Sequence, residues 1–219
     1  MFSYYGSKSK ISKYYPTPTY DLIIEPFAGA GNYSLLHYKN HSVWLNDKYT
    51  VIFKLWKHLQ TLDLSEIESI PQLNKGDDIR NLDLSEGMKL ILGFSVNCGV
   101  ATPHNIYTDW AQSNNLIKQS KNRLLKYYER IKSWKITNLD YNLIPNEEAT
   151  WFIDPPYMFG GNRYKESKID YIELANWCKT RKGQVIVCEN SNANWLDFKP
   201  LVRCAGQKTQ TLEVVWTNR

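Results

Sequence analysis

Residues 21–31 read Asp21-Leu22-Ile23-Ile24-Glu25-Pro26-Phe27-Ala28-Gly29-Ala30-Gly31. A short apolar run bounded by charged residues has the length and side chains of a buried strand. Pro26 cannot extend that strand's ladder, and Gly29 and Gly31 permit a tight turn with close backbone approach to a ligand. A helix is expected from about Asn32. The next apolar run, Ser42-Val43-Trp44-Leu45-Asn46, reads as a second strand ending at Asp47, with a helix on through about Leu59. Strand, glycine turn, helix, strand is the alternation of an α/β domain built on a parallel sheet.

The pattern changes between about residues 61 and 133. That stretch is polar, mostly helical in its spacing, and broken by loops such as Asn74-Lys75-Gly76-Asp77-Asp78. Strands are predicted again at 134–139, 150–153, 184–189 and 211–216, with a helix over 169–179. The chain therefore divides into a catalytic domain of residues 1–60 and 134–219 and a helical insertion of residues 61–133.

Composition sets limits. The chain has 219 residues, 27 Lys and Arg against 22 Asp and Glu, and 15 Tyr with 8 Trp. A net charge of +5 favours a polyanionic partner only mildly. Large aromatics suit base stacking, and they also fill cores. Cys98, Cys178, Cys188 and Cys204 are scattered, with no CxxC pair and no His at ligand spacing, so neither a zinc site nor a disulfide framework is expected. The N-terminus carries no apolar leader and motif-like sequence starts directly after Met1; a soluble, cytoplasmic protein follows as the expectation.

Three segments carry chemistry. Asp154-Pro155-Pro156-Tyr157 directly follows the predicted strand ending at Ile153. The prolines hold a rigid, extended turn that cannot continue a helix or ladder. Asp154 and the carbonyl of Pro155 then offer two acceptors, enough to hold both hydrogens of an exocyclic amine and aim its lone pair. Tyr157 can stack on the ring that bears the amine. The Glu25–Gly31 turn gains from Asp47, a carboxylate where ribose hydroxyls would be gripped, though its place also suits a helix N-cap. At the N-terminus, Tyr4-Tyr5-Gly6-Ser7-Lys8 is a small loop with a cation, fit for a carboxylate or phosphate.

Taken in order, YYGSK, EPFAGAG, WLND and DPPY resemble the Dam-type, D12 class of adenine-N6 DNA methyltransferases. The resemblance spans the chain from residue 2 to past residue 157. It implies a Rossmann-like sheet of the S-adenosylmethionine-dependent methyltransferase class, seven-stranded with one antiparallel strand, plus a small helical insertion for target recognition. It implies S-adenosylmethionine as cofactor, double-stranded DNA as partner, and methyl transfer to adenine N6 after base flipping. By position, Tyr4, Gly6, Ser7 and Lys8 would hold the cofactor, with Lys8 at its carboxylate. Glu25, Pro26, Phe27, Gly29 and Gly31 would line it, and Asp47 would take the ribose hydroxyls. Asp140 would meet the cofactor's adenine, although its setting equally suits a turn-forming Asp. Asp154, Pro155, Pro156 and Tyr157 would hold the target base. Tyr5 stands where Pro or Ala is common, and Ser7 where Gly is frequent. Cytosine enzymes of this kind usually carry Ser at the Asp154 position and glutamine enzymes Asn, so Asp favours adenine. Nicotinamide oxidoreductases share the glycine turn and the acid, but not DPPY or YYGSK.

The stretch between Asp47 and DPPY is short, which points to a brief or degenerate target. Residues 116–132 read as an amphipathic helix with Ile117, Leu124, Leu125, Tyr128 and Ile131 on one side. Lys118, Lys121, Arg123, Lys126 and Arg130 face outward, either toward DNA phosphates or simply toward solvent. After DPPY, Gly160-Gly161-Asn162-Arg163-Tyr164 reads as a mobile loop whose Arg163 and Tyr164 lie near the substrate. Asn97, Cys98 and Gly99 are further candidates for DNA contact.

Overall fold

The computed structural model describes residues 2–97, 99–205 and 210–218; Cys98 lies outside them. In chain order the strands are β1 (Leu22–Glu25), β2 (Ser42–Asn46), β3 (Lys135–Thr137), β4 (Ala149–Ile153), β5 (Gly183–Asn190), β6 (Lys199–Ala205) and β7 (Gln210–Thr217). The helices are α1 (Asn32–His37), α2 (Thr50–Thr61), α3 (Leu64–Glu68), α4 (Glu86–Gly93), α5 (Asp109–Ser113), α6 (Leu116–Ile131) and α7 (Tyr171–Lys179). The chain forms two compact units, one of residues 8–50 and 135–219 and the other of residues 1–7 and 51–134.

The first unit is an α/β sheet domain. Its seven strands run in the order β3-β2-β1-β4-β5-β7-β6. β3, β2, β1, β4 and β5 are parallel, and β7 lies antiparallel to both β5 and β6. One reversed strand in a seven-stranded sheet is the arrangement the resemblance implies. Side chains alternate between the two faces, as strand geometry requires. Trp151, Ile153, Val185 and Val187 enter one apolar cluster with Leu174 and Trp177 of α7. Their neighbours Phe152, Ile186 and Cys188 enter another with Tyr15 and Tyr33. Phe152 stacks on Tyr33 with ring centroids 4.1 Å apart. Both faces are covered, so β4 is buried at every residue and is apolar but for Thr150, whose hydroxyl donates to Gln184.

β6 is the strand the sequence pattern does not predict. Pro200 lies inside it, and a proline is tolerated only because β6 is an edge strand, paired among the described residues to β7 alone. The register shifts between Pro200 and Val202, where the ladder adjusts to the missing donor.

The second unit is helical. Three of its helices start on side-chain caps: Asp63 accepts from the Glu66 amide, Ser85 from Met88, and Thr108 from Ala111. Phe2 packs against Trp56 and Phe94, with centroids 6.0 and 5.4 Å away. α6 buries Ile117, Ser120, Leu124 and Ile131, and the Ser120 hydroxyl meets that of Ser95 at 2.6 Å. Leu125, placed on the apolar side by the sequence reading, is instead exposed. At about 100° per residue it sits a quarter-turn away from the line through Ile117, Leu124 and Ile131. Among the described residues no helix is long and apolar enough to cross a membrane.

Candidate active site

Sheet order fixes where a site can form. From β1 the chain proceeds to β2 and β3 on one side, whereas β4 and β5 lie on the other. At such a switch point a crevice opens beyond the carboxyl ends of the two central strands. Four acids occupy the ends of four adjacent parallel strands: Asp140 after β3, Asp47 after β2, Glu25 at the end of β1 and Asp154 after β4.

The turn after β1 is held from several directions. Gly29 and Gly31 have φ of 46° and 59°, in the left-handed region that glycine enters without a Cβ penalty. The Gly29 amide donates to Asp47 Oδ2 at 2.8 Å, and the Tyr49 amide to Asp47 Oδ1 at 2.9 Å. Asn46 is a buried hub that the sequence reading did not single out. Its Nδ2 donates to the carbonyls of Pro26 and Leu139, each at 3.0 Å, and its Oδ1 accepts from the Thr137 hydroxyl and the Leu139 amide. Glu25 accepts the Ser34 amide at 2.7 Å, serving the first turn of α1. Burial pushes the Glu25 carboxyl up to about 8, against the pull of that hydrogen bond. Burial likewise raises Asp47 to about 6, despite its two backbone donors. Phe27 tilts against Tyr141, centroids 5.5 Å apart, and Asp140 is paired with Lys48 at 2.7 Å.

Around Asp154 the structure gathers a denser set of charges. The Lys8 ammonium lies 2.9 Å from Asp154 Oδ1 and 3.6 Å from Glu213 Oε1. Burial works against that ammonium, but Asp154 and Glu213 outweigh it and hold Lys8 protonated above the ordinary lysine range. Burial raises the Asp154 carboxyl and Lys8 draws it back, leaving it above the usual carboxylate range. Tyr157 and Tyr15 both donate their hydroxyls to Glu213 Oε1. Lys8 also stands over the Tyr157 ring, 4.6 Å from its centroid. The Tyr171 hydroxyl donates to the Pro156 carbonyl at 2.7 Å, and Gly161 packs so closely that a Cβ there would lie 2.9 Å from the Pro156 carbonyl carbon.

Lys8 is thus found beside Asp154, although the resemblance puts the two on different ligands. Tyr4, Gly6 and Ser7 belong to the helical unit, where Tyr4 is buried edge-on against Phe94 at 5.7 Å. Gly6 has a φ of 69°. On α6, Lys118, Lys126 and Arg130 are exposed. Lys121 is half-buried and donates to the carbonyls of Glu68 and Ile70 at the end of α3, and Arg123 leans on Gln119. Arg163 is exposed and Tyr164 half-buried. Their loop, expected to be mobile, is tied at its start. Buried Glu189 accepts from the Met158 amide at 2.9 Å, and Asn190 Nδ2 donates to the Phe159 carbonyl at 2.7 Å.

Sequence reasoning missed Glu213, Glu189 and Tyr15. Glu213 left a trace: it is the one acid in the run Thr211-Leu212-Glu213-Val214-Val215-Trp216. A carboxylate inside an apolar strand must have partners.

No protein-family model matches the sequence, and no curated protein matches it. Among solved structures the chain is similar to a conserved hypothetical protein of Streptococcus pyogenes, with a TM-score of 0.38 and 9% identity over 90% of this chain and 86% of that one. It is similar to "Putative methyltransferase yhhF" from Escherichia coli, with a TM-score of 0.33 and 9% identity over 89% of this chain and 74% of that one. For "putative methylase HI0767" from Haemophilus influenzae the TM-score is 0.39 and the identity 12%, over 90% of this chain and 79% of that one. Likenesses of this degree carry nothing further, and the chemistry rests on the chain's own residues.

Proposed function

We propose that the chain is an S-adenosylmethionine-dependent methyltransferase that acts on N6 of adenine in double-stranded DNA. One observation carries the reading. Asp154-Pro155-Pro156-Tyr157 stands at the end of β4, and β4 is the sheet neighbour of β1, which the Gly29–Gly31 turn follows. A nucleoside site and an amine-holding site therefore share the switch-point crevice.

The residues suit the cofactor. S-adenosylmethionine is a cation bearing ribose hydroxyls and an exocyclic amine, all of which seek acceptors. The row of acids at the strand ends supplies them, and the elevated Glu25 and Asp47 carboxyls are ones a bound cation would help to ionise. Asp47 would take the ribose hydroxyls and Asp140 the adenine amine. The backbone at Gly29 and Gly31 allows close approach. Lys8 we read as the partner of Asp154 rather than of the cofactor's carboxylate. When bound, the cofactor supplies a methyl group activated by its sulfonium.

The target adenine must leave the helix to reach this crevice, which costs a few kcal/mol of lost stacking. Asp154 then accepts one N6 hydrogen. The Pro155 carbonyl accepts the other, while the Pro156 carbonyl is engaged by the Tyr171 hydroxyl. With both hydrogens held, the direction of the nitrogen lone pair is fixed, and a bound cofactor would supply the methyl group to it. Lys8 keeps Asp154 ionised for that task, and the carboxyl's elevated affinity for protons suits it to take the one released. Tyr157, anchored through its hydroxyl, gives the base a face to stack on. The exposed cations of α6 supply phosphate contacts.

The test is transfer of labelled methyl from S-adenosylmethionine to methyl-free DNA, with RNA and protein in parallel, followed by mass spectrometry of the nucleosides. N6-methyladenine from DNA is expected. N4-methylcytosine as the main product, or label in RNA or protein alone, overturns the assignment.

A further inference from the structure

Glu213 sits on the reversed strand β7 between Leu212 and Val214, with its side chain only 9% exposed. A buried carboxylate survives by finding partners, and the ones it finds here belong to the reacting segment. Oε1 accepts the Tyr15 hydroxyl at 2.5 Å and the Tyr157 hydroxyl, and it faces the Lys8 ammonium at 3.6 Å. Tyr15 is itself held edge-on against Phe152 of β4, centroids 5.1 Å apart, so it is an anchored donor. Burial raises both phenols well above their ordinary range, which keeps each one a donor.

We infer that Glu213 is a positioning residue: it fixes the far end of Tyr157 and draws on the Lys8 ammonium that Asp154 Oδ1 holds at 2.9 Å, so that Asp154 does not have that cation to itself. One cation stands between two carboxylates. Without Glu213, Asp154 would lose a negative neighbour and a competitor for Lys8, and Tyr157 would lose the anchor that orients its ring. The importance of this arrangement for methyl transfer rests on the function proposed above, but the arrangement itself does not.

The groups that influence Asp154 come from every neighbouring element. They are Lys8 and Tyr15 from the N-terminal stretch, Glu25 from β1, Tyr157 of its own segment, Cys188 and Glu189 from β5, and Glu213 from β7. Only Lys8 in this set is a cation. Glu213 therefore acts on Asp154 in one direction: its negative charge disfavours ionisation of the neighbouring carboxyl.

The experiment is a carbon-13 titration of the Asp154 carboxyl in the cofactor-free protein, its resonance assigned with Asp154→Asn. In Glu213→Gln the midpoint should move to lower pH, because a negative neighbour is gone and Lys8 is left to Asp154 alone. Glu213→Asp keeps the charge and should stay near the wild-type midpoint. An unmoved midpoint in Glu213→Gln overturns the inference. Should Glu213→Gln fail to fold, Tyr15→Phe removes one anchor and leaves the charge. It should lower kcat roughly tenfold or more at unchanged cofactor KM, since misplacing a reacting group is costly even when binding is intact; unchanged kcat counts against the role. The titration needs no substrate. Absence of methyl transfer to DNA by the wild type therefore sinks the function alone, while an immobile Asp154 midpoint sinks this inference alone.

Discussion

Asp47 Oδ2 accepts the backbone N–H of Gly29 at 2.8 Å, so the acid that ends β2 also fastens the glycine turn that follows β1. In the function proposed, ligand grip and loop shape share one carboxylate. Asp47→Ala should weaken S-adenosylmethionine binding about tenfold to a hundredfold, the size expected for roughly 1.5–3 kcal/mol of charge-assisted hydrogen bonding. Calorimetry on the folded variant decides it. Unchanged affinity would remove Asp47 from the site.

Glu25 makes stability depend on pH in an unusual direction. Its carboxyl is raised from 4.5 to about 8 in the folded protein. Between those values the folded state holds a proton that the unfolded state has released, so stability falls as pH rises through the window. Glu25→Gln keeps an acceptor for the Ser34 amide and has no proton to lose. It should melt higher than wild type at pH 8.5, and the gap should close toward pH 4.5. Parallel melting curves across that range are the check; a constant gap refutes the burial argument.

Asp154→Ala should abolish methyl transfer while leaving cofactor affinity within a few-fold of wild type, because its partner is the target amine. It also leaves buried Lys8 with Glu213 as its nearest carboxylate, so some loss of thermal stability should accompany it. Single-turnover transfer and cofactor calorimetry on the same preparation separate the two effects. Retained transfer would move the amine acceptor elsewhere.

The cations of α6 should not behave alike. Lys118, Lys126 and Arg130 are exposed, and replacing any of them by Gln should flatten the salt dependence of DNA binding by about one ion. Lys121 holds the carbonyls of Glu68 and Ile70, so Lys121→Gln should instead lower melting temperature with little change in salt slope. Binding titrations at several salt concentrations test both. Equal slopes in all variants would place the DNA surface off this helix.

Gly161→Ala offers a steric probe. The added Cβ would lie 2.9 Å from the Pro156 carbonyl carbon and 3.2 Å from its Cβ, too close for the DPPY turn to keep its place. Transfer should fall about a hundredfold, the cost of a displacement near 1 Å, while the sheet stays folded. Full activity would show that the loop yields without disturbing the turn.

Much of this was legible locally. The run Leu22–Glu25, its glycine turn, and Ser42–Asn46 ahead of Asp47 all appear where periodicity and turn chemistry place them. α6 spans Leu116–Ile131, against the expected 116–132. These features depend on neighbours a few residues away, which a sequence displays directly. Leu125 and β6 escaped because one lies just outside an apolar stripe and the other is an edge strand interrupted by Pro200.

The sequence by itself determined the α/β class, the acids at the strand ends and the rigid Asp154–Tyr157 turn. It could do so because each is written in contiguous residues. Only the tertiary structure decided that Lys8 meets Asp154, and that Glu213 gathers Tyr15 and Tyr157 behind them. Tyr15 and Glu213 are 198 positions apart. They meet because β7 inserts beside β5 and carries a lone carboxylate into the core, where a buried charge takes whichever donors the sheet order delivers. No local pattern encodes that encounter.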